Sequence, residues 1–202
     1  MTKTVEKMPS LGFPLFETSL VTGSEIDALK LGIGKSYDDV CDPLAWINDA
    51  RDFDYKLVSV KDGWSSLPTG FVSFDMFPRK ELVGDEWVAK LGYNIHAVFV
   101  NPEFRGKGQG RALRRMMSDL IETNVQSVQE RGFADKIEIF IEAECVTADG
   151  AAFVHSLVSD CEKMIDKMSE RRSANDTFRI EFKDCVDYGD YENGAGFSSP
   201  AP

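Results

Sequence analysis

Between residues 86 and 144 the apolar pattern of the chain changes period twice. "EWVAKLGYNIHAVFV" reads as a strand, rich in apolar and β-branched residues. From Gln109 to Glu130 the apolar residues Leu113, Met117, Leu120, Ile121 and Val125 recur at helical spacing, and Gly132 ends the run. "KIEIFIEAE" then alternates with the period of a strand: Ile137, Ile139, Ile141 and Ala143 share one face, Glu138, Phe140, Glu142 and Glu144 the other. Two strands joined by a long helix pair side by side as a parallel βαβ unit with a right-handed crossover. That unit requires a sheet with helices packed on it.

The flanking chain fits such a sheet. "PLFETSLV" reads as a first strand, "SEIDALKLGIGKSY" and "DPLAWINDARDF" as helices. Ser24 and Asp42 are candidate N-caps, and Pro43 suits a first helical position. "YKLVSV" and "GFVSFDMF" are strands, with turn signals at Asp62-Gly63 and from Pro78 to Gly84. The stretch from residue 86 to 100 is either two strands or one strand bent near Gly92. A second helix is expected from Gly150 to Arg171, with Phe153, Leu157, Cys161, Met164, Ile165 and Met168 as its apolar stripe, followed by a late strand, "TFRIEFKDCV". There is no internal repeat. With 202 residues, 43% of them hydrophobic, the chain suits one domain over 13–188. Residues 1–12 read as a flexible N-terminal segment, and 189–202, rich in Gly, Ser, Pro and Ala, as a flexible tail.

Composition narrows the function classes. A net charge of −11 and a pI near 4.7 argue against general nucleic-acid binding, which needs a basic surface. No apolar run approaches the roughly 20 residues of a membrane helix, and the N-terminus lacks the apolar core of a signal peptide, so no membrane association and a cytoplasmic location are expected. Cys41, Cys145, Cys161 and Cys185 lie far apart without CxxC spacing, which reads as reduced thiols and no metal site.

Against that acidity, Arg105, Lys107, Arg111, Arg114 and Arg115 gather around three glycines, Gly106, Gly108 and Gly110, just where a strand gives way to a helix. The first N–H groups of a helix lack internal partners and lie at the positive end of its dipole. Glycines let a ligand approach the backbone and can take positive φ. The natural occupant is a pyrophosphate. It is not a dinucleotide fingerprint, because the third glycine of GxGxxG is replaced by Arg111. Nor is "GIGKS" a Walker loop, because Leu29 stands where the first glycine is needed; it reads as a helix end.

"VNPEFRGKGQGRAL" resembles motif A of the GNAT superfamily of N-acetyltransferases, with Val100, Pro102, Phe104, Arg105, Gly106, Gly108, Gly110 and Leu113 filling its positions. The element order is compatible from Leu15 to Tyr188. The resemblance implies a single-domain α/β (α+β) fold: a mixed sheet, largely antiparallel, with a central parallel strand pair that splays apart and helices on both faces. It implies acetyl-CoA as cosubstrate, its pyrophosphate on the amides of Lys107 to Arg111 and its pantetheine arm along Val98 to Val100. The implied cofactor-binding residues are Val98, Phe99, Val100, Arg105, Gly106, Lys107, Gly108, Gln109, Gly110 and Arg111.

Acyl transfer to an amine needs a base for the amine proton, a donor for the thioester carbonyl and an acid for the leaving thiolate. His96 stands where many members of the family carry a general-base Glu, and an imidazole can accept a proton at neutral pH. His155 falls where the family often has an acidic Tyr; a register slip of one gives Ser156. Glu142 and Glu144, near the end of their strand, could hold a cationic amine or act through water. The expected function is N-acetyl transfer from acetyl-CoA to a primary amine, either a small molecule or a protein lysine. The acidic chain favours a cationic acceptor, with its pocket built from the first two helices and "WSSLPTGFVSF". The alternative is a CoA-binding sensor or scaffold without transfer. A phosphotransfer protein would need a Walker Lys or a metal-binding acid pair, and neither is present. The oligomeric state is open, a homodimer included.

Overall fold

The computed structural model describes residues 5–6, 21, 23–34, 42–52, 55–61, 67–145, 147–170 and 178–188. The expected strand "PLFETSLV", Val21 apart, and the Asp62-Gly63 turn lie outside them. Four helices, α1 (Gly23–Ile33), α2 (Pro43–Asp52), α3 (Gln109–Glu130) and α4 (Ala148–Glu170), accompany one sheet. Its strands are β1 (Val5–Glu6), β2 (Lys56–Lys61), β3 (Pro68–Val83), β4 (Glu86–Val100), β5 (Lys136–Glu144) and β6 (Arg179–Asp187). They lie in the order β1-β3-β4-β5-β6, with β2 also on β3.

This is the mixed sheet implied by the motif A resemblance. β1, β2 and β4 pair with β3 antiparallel, and β4 pairs with β5 in parallel. β6 adds a second parallel pair, from Lys136↔Arg179 to Glu144↔Asp187, because α4 returns the chain as another crossover. The β4–β5 ladder ends at Ile95↔Ala143, while β4 continues through His96 to Val100. The strands part there, as expected.

Two details differ from the expectations. β3 does not turn at Pro78 but runs to Val83, and the chain reverses at Gly84, whose φ is +66°. Pro78 falls between the stretches of β3 covered by β2 and β1, on an outer edge that tolerates a residue without an N–H. β4 is one strand, and it is not bent at Gly92. Gly92 lies opposite Phe77, and a Cβ there would come within 1.9 Å of the Phe77 ring. The irregularity is at His96: Ser73 faces Ala97 and Phe74 faces Ile95, so His96 is the extra residue of a bulge.

That one residue reverses the strand. Before it, Leu91, Tyr93 and Ile95 join the larger core beneath α3 and α4. After it, Ala97 and Phe99 join a second core with Leu29 and Ile33 of α1 and Ile47 of α2, while Val98 and Val100 turn to the α3–α4 side. Helices therefore cover both faces.

The helix stripes behave as read. Leu113, Met117, Leu120, Ile121 and Val125 of α3 are buried, as are Phe153, Leu157, Cys161, Met164 and Met168 of α4; Ile165 is half-buried. Asp42 caps α2, its Oδ1 accepting from the Leu44 N–H (3.0 Å) and the Ala45 N–H (3.3 Å). α1 begins at Gly23, so Ser24 sits inside its first turn, and it ends at Gly34 (φ +62°). α4 starts at Ala148, earlier than expected, because Thr147 Oγ1 accepts from the Gly150 N–H at 3.0 Å and acts as the N-cap.

Candidate active site

The gap between β4 and β5 opens at their C-terminal ends, and α3 and α4 both begin there. Two helix N-termini, each with partial positive charge, face one groove. Its volume is about 500 Å³, within the range of ligand clefts (about 300–1,000 Å³). Val98, Phe99 and Val100 form one wall, the turn from Phe104 to Arg111 another, and Thr147, Asp149, Gly150, Ala152, Phe153 and Ser156 of the α4 start the third.

The local sequence explains the turn. Asn101 anchors it, its N–H donating to Thr69 O at 2.9 Å and its Oδ1 accepting from the Glu103 N–H at 3.2 Å. Pro102–Phe104 make one 3-10 turn. Gly106 (φ +73°) and Gly108 (φ +81°) then take left-handed backbone conformations that other residues rarely adopt. Gly108 is the N-cap residue of α3 and supplies no side-chain cap; the first helical bond runs from the Ala112 N–H to Gly108 O. The amides of Gln109, Gly110 and Arg111 thus precede the first intrahelical donor. Gln109 is buried, 7% exposed, and its Oε1 finds no hydrogen-bond partner among the described residues. The free amides and the open glycine backbone fit a pyrophosphate-bearing ligand; the Gln109 Oε1, an acceptor, would meet a donor group and not a phosphate oxygen.

Among the predicted cofactor residues, the groove gathers all but Lys107. Lys107 Nζ lies 5.0 Å from the centre of the Phe104 ring instead. Arg105 Nε donates to Val100 O at 3.1 Å, tying the turn to the strand end. Arg114 also lines the groove; its Nε is 2.8 Å from Asp160 Oδ2, close enough for an ion pair but not aligned for a hydrogen bond.

The catalytic candidates do not form one cluster. His96 sits at the bulge, at the apex of the β4–β5 split, on the face covered by α1 and α2. Its Nε2 is 3.0 Å from Asp75 Oδ2, and its ring stacks on Tyr55 (4.2 Å between centres, 24°) and Trp46 (6.0 Å, 19°). His155 lies outside the groove: it is exposed and packs edge-on to Tyr188, 6.2 Å between centres. Ser156, the one-residue slip, lines the groove. Glu142 is half-buried on the His96 face of the sheet, in one cross-strand row with Asp75, Asn94 and Cys185; Glu144 is exposed at the end of β5.

The face of β5 that carries acids is not a catalytic cluster throughout. Glu138 is 7% exposed and is met by Lys136 (2.9 Å), Lys183 (3.0 Å) and Lys90 (3.8 Å). Burial by itself would raise its pKa, but the hydrogen bonds from Lys136 and Lys183 outweigh this and hold it below the usual value. The Lys136 ammonium is raised in turn by Glu181 and Glu138. Burial pushes the Cys161 thiol up to about 12 and raises Cys145 as well.

Sequence reading missed Asp75, Trp46, Tyr55 and Thr147. The signal for Asp75 was its place in "VSFDMF", a carboxylate at a strand position whose neighbours alternate apolar and polar. Among the described residues, no group of three or more His, Cys, Asp or Glu is placed to hold a metal ion, and no helix is long and apolar enough to cross a membrane.

No protein-family model and no curated protein sequence matches the chain. Among solved structures it is similar to a ribosomal-protein-alanine N-acetyltransferase from Brucella melitensis biovar Abortus (18% identity, 69% of this chain and 88% of that one, TM-score 0.41). It is also similar to an acetyltransferase of Trypanosoma brucei (21% identity, 68% and 87%, TM-score 0.35). A third is an aminoglycoside acetyltransferase from an uncultured soil metagenomic sample (15% identity, 66% and 77%, TM-score 0.30).

Proposed function

We propose that this chain is an acyl-CoA-dependent N-acyltransferase that moves acetyl from acetyl-CoA to a primary amine. The observation that carries the reading is the coincidence of the motif A turn, its uncapped helix amides and the end of β4 that β5 no longer pairs in one groove. Amides of Gln109 to Arg111 bind the pyrophosphate, helped by the Arg111 charge. The backbone of Val98 to Val100, no longer paired with β5, aligns the pantetheine arm. Acetyl-CoA supplies the acyl group already activated as a thioester.

The acceptor enters from the other face, past Trp46 and Tyr55. His96 takes the proton that the amine loses as it attacks. Glu142 draws a cationic acceptor, a small amine or a protein lysine, towards the split. His155 has no part in this arrangement, and the thiolate takes its proton from water.

His155's place outside the groove favours a second reading, a CoA-binding module without transfer. One experiment separates the two: free-thiol release from acetyl-CoA over a panel of amines, alongside CoA affinity, for the wild type and His96→Ala. Transfer predicts release with at least one amine, and a loss of about 100-fold or more on substitution with CoA affinity kept. Tight CoA binding without release from any amine would favour the binding module.

A further inference from the structure

We propose that Asp75 is a positioning residue for the transfer: it holds the His96 ring by Nε2, so that Nδ1 carries the lone pair that receives the amine proton. The inference rests on the reading of His96 as base.

His96 is the extra residue of the β4 bulge, so it has no cross-strand partner on β3, and it lies one step beyond the last β4–β5 pair. Neither ladder sets the direction of its side chain. Three contacts from elsewhere do. Tyr55 and Trp46 stack against the ring and fix its plane. Asp75, reaching from the adjacent step of β3, fixes its rotation within that plane through the 3.0 Å contact to Nε2. An ionised carboxylate only accepts hydrogen bonds, so in the neutral ring Nε2 must be the donor and Nδ1 the acceptor.

Magnitude decides what the pair is for. The Asp75 side chain is 38% exposed and that of His96 16%. A pair so open to water adds little to folding, about 0–1 kcal/mol. Choosing the tautomer of a proton acceptor can matter far more to a reaction that uses it. In the balanced step the C–N bond forms and the C–S bond breaks. The surplus amine proton passes to Nδ1 and then to solvent, and CoA leaves as thiolate. The imidazolium formed is stabilised by Asp75.

Of the titratable groups, Asp75 of β3 and Tyr55 touch the ring, and Glu142 of β5 lies on the same face of the sheet. Asp75 is the carboxylate that contacts the ring among the described residues, so its loss should free the ring to adopt the other tautomer.

The test is ¹⁵N and ¹H NMR of the two histidines in the whole protein, with His96→Gln assigning the signals. The wild type is expected to show a hydrogen-bonded Nε2–H tautomer for His96. Asp75→Ala should lose that signal. Asp75→Asn, which keeps an acceptor without the charge, should retain the tautomer. For the amine that releases most thiol, Asp75→Ala should lower kcat about tenfold or more with KM for acetyl-CoA unchanged. An unchanged His96 spectrum in both variants would overturn the proposal, as would an altered spectrum with unaltered kcat. If His96→Gln instead leaves turnover intact, the base reading itself has failed, whatever the spectra show of Asp75.

Discussion

At the scale of single residues, the site rests on backbone conformations that sequence chemistry allows at few positions. Gly108 has φ +81°, and a left-handed L-residue costs roughly 1–2 kcal/mol. Gly108→Ala is therefore expected to lower stability by about that amount and to weaken CoA binding together, as read by thermal melts and calorimetric titration. Gly110 is the contrast. It lies in the first turn of α3, and an added Cβ meets nothing within 4 Å. Gly110→Ala should raise stability by about 0.5–1 kcal/mol and leave CoA affinity within about twofold. Equal losses in both variants would mean that space, rather than backbone conformation, governs the turn. The glycines and arginines of this turn were legible because strand, proline and glycine spacing coincide in one short stretch. Asp75 was not, because its role depends on a bulge in the next strand, 21 residues further on.

At the scale of elements, periodicity made the strands and helices readable, and the errors fall where local signals compete. Pro78 looked like a turn and is a strand residue of β3 that, among the described residues, pairs with neither β1 nor β2. The second long helix was expected from Gly150, yet it begins two residues earlier, at Ala148, because Thr147 caps it. Thr147→Ala should cost about 1 kcal/mol in chemical denaturation. It should also loosen the groove wall formed by Asp149, Gly150 and Phe153. The bulge at His96 was invisible in the pattern, since the sequence before and after it is equally apolar; only pairing with β3 reveals that the two halves of β4 face opposite cores. The charge of the α3 start also predicts that CoA affinity falls as salt rises, because the cluster of Arg105, Arg111 and Arg114 is partly screened.

At the scale of the whole molecule, an acidic chain buries one carboxylate of its sheet among lysines from three strands. Glu138, with its three lysines, has its folded pKa below the unfolded one. Its contribution to stability is full above the unfolded carboxylate range, about 4.3, and is lost as pH falls through the depressed folded value. Glu138→Gln should lower Tm at pH 7, and the gap to the wild type should close in acid. The composition implied nothing of this: it showed an excess of carboxylates, not which of them would meet lysines across β4, β5 and β6.

The most direct test of the anion site is a crystal structure of the protein with CoA bound. The pyrophosphate oxygens are expected about 2.7–3.2 Å from the amide nitrogens of Gln109, Gly110 and Arg111, with the pantetheine arm along Val98 to Val100. A pyrophosphate bound elsewhere, with those three amides satisfied by the protein itself, would contradict it.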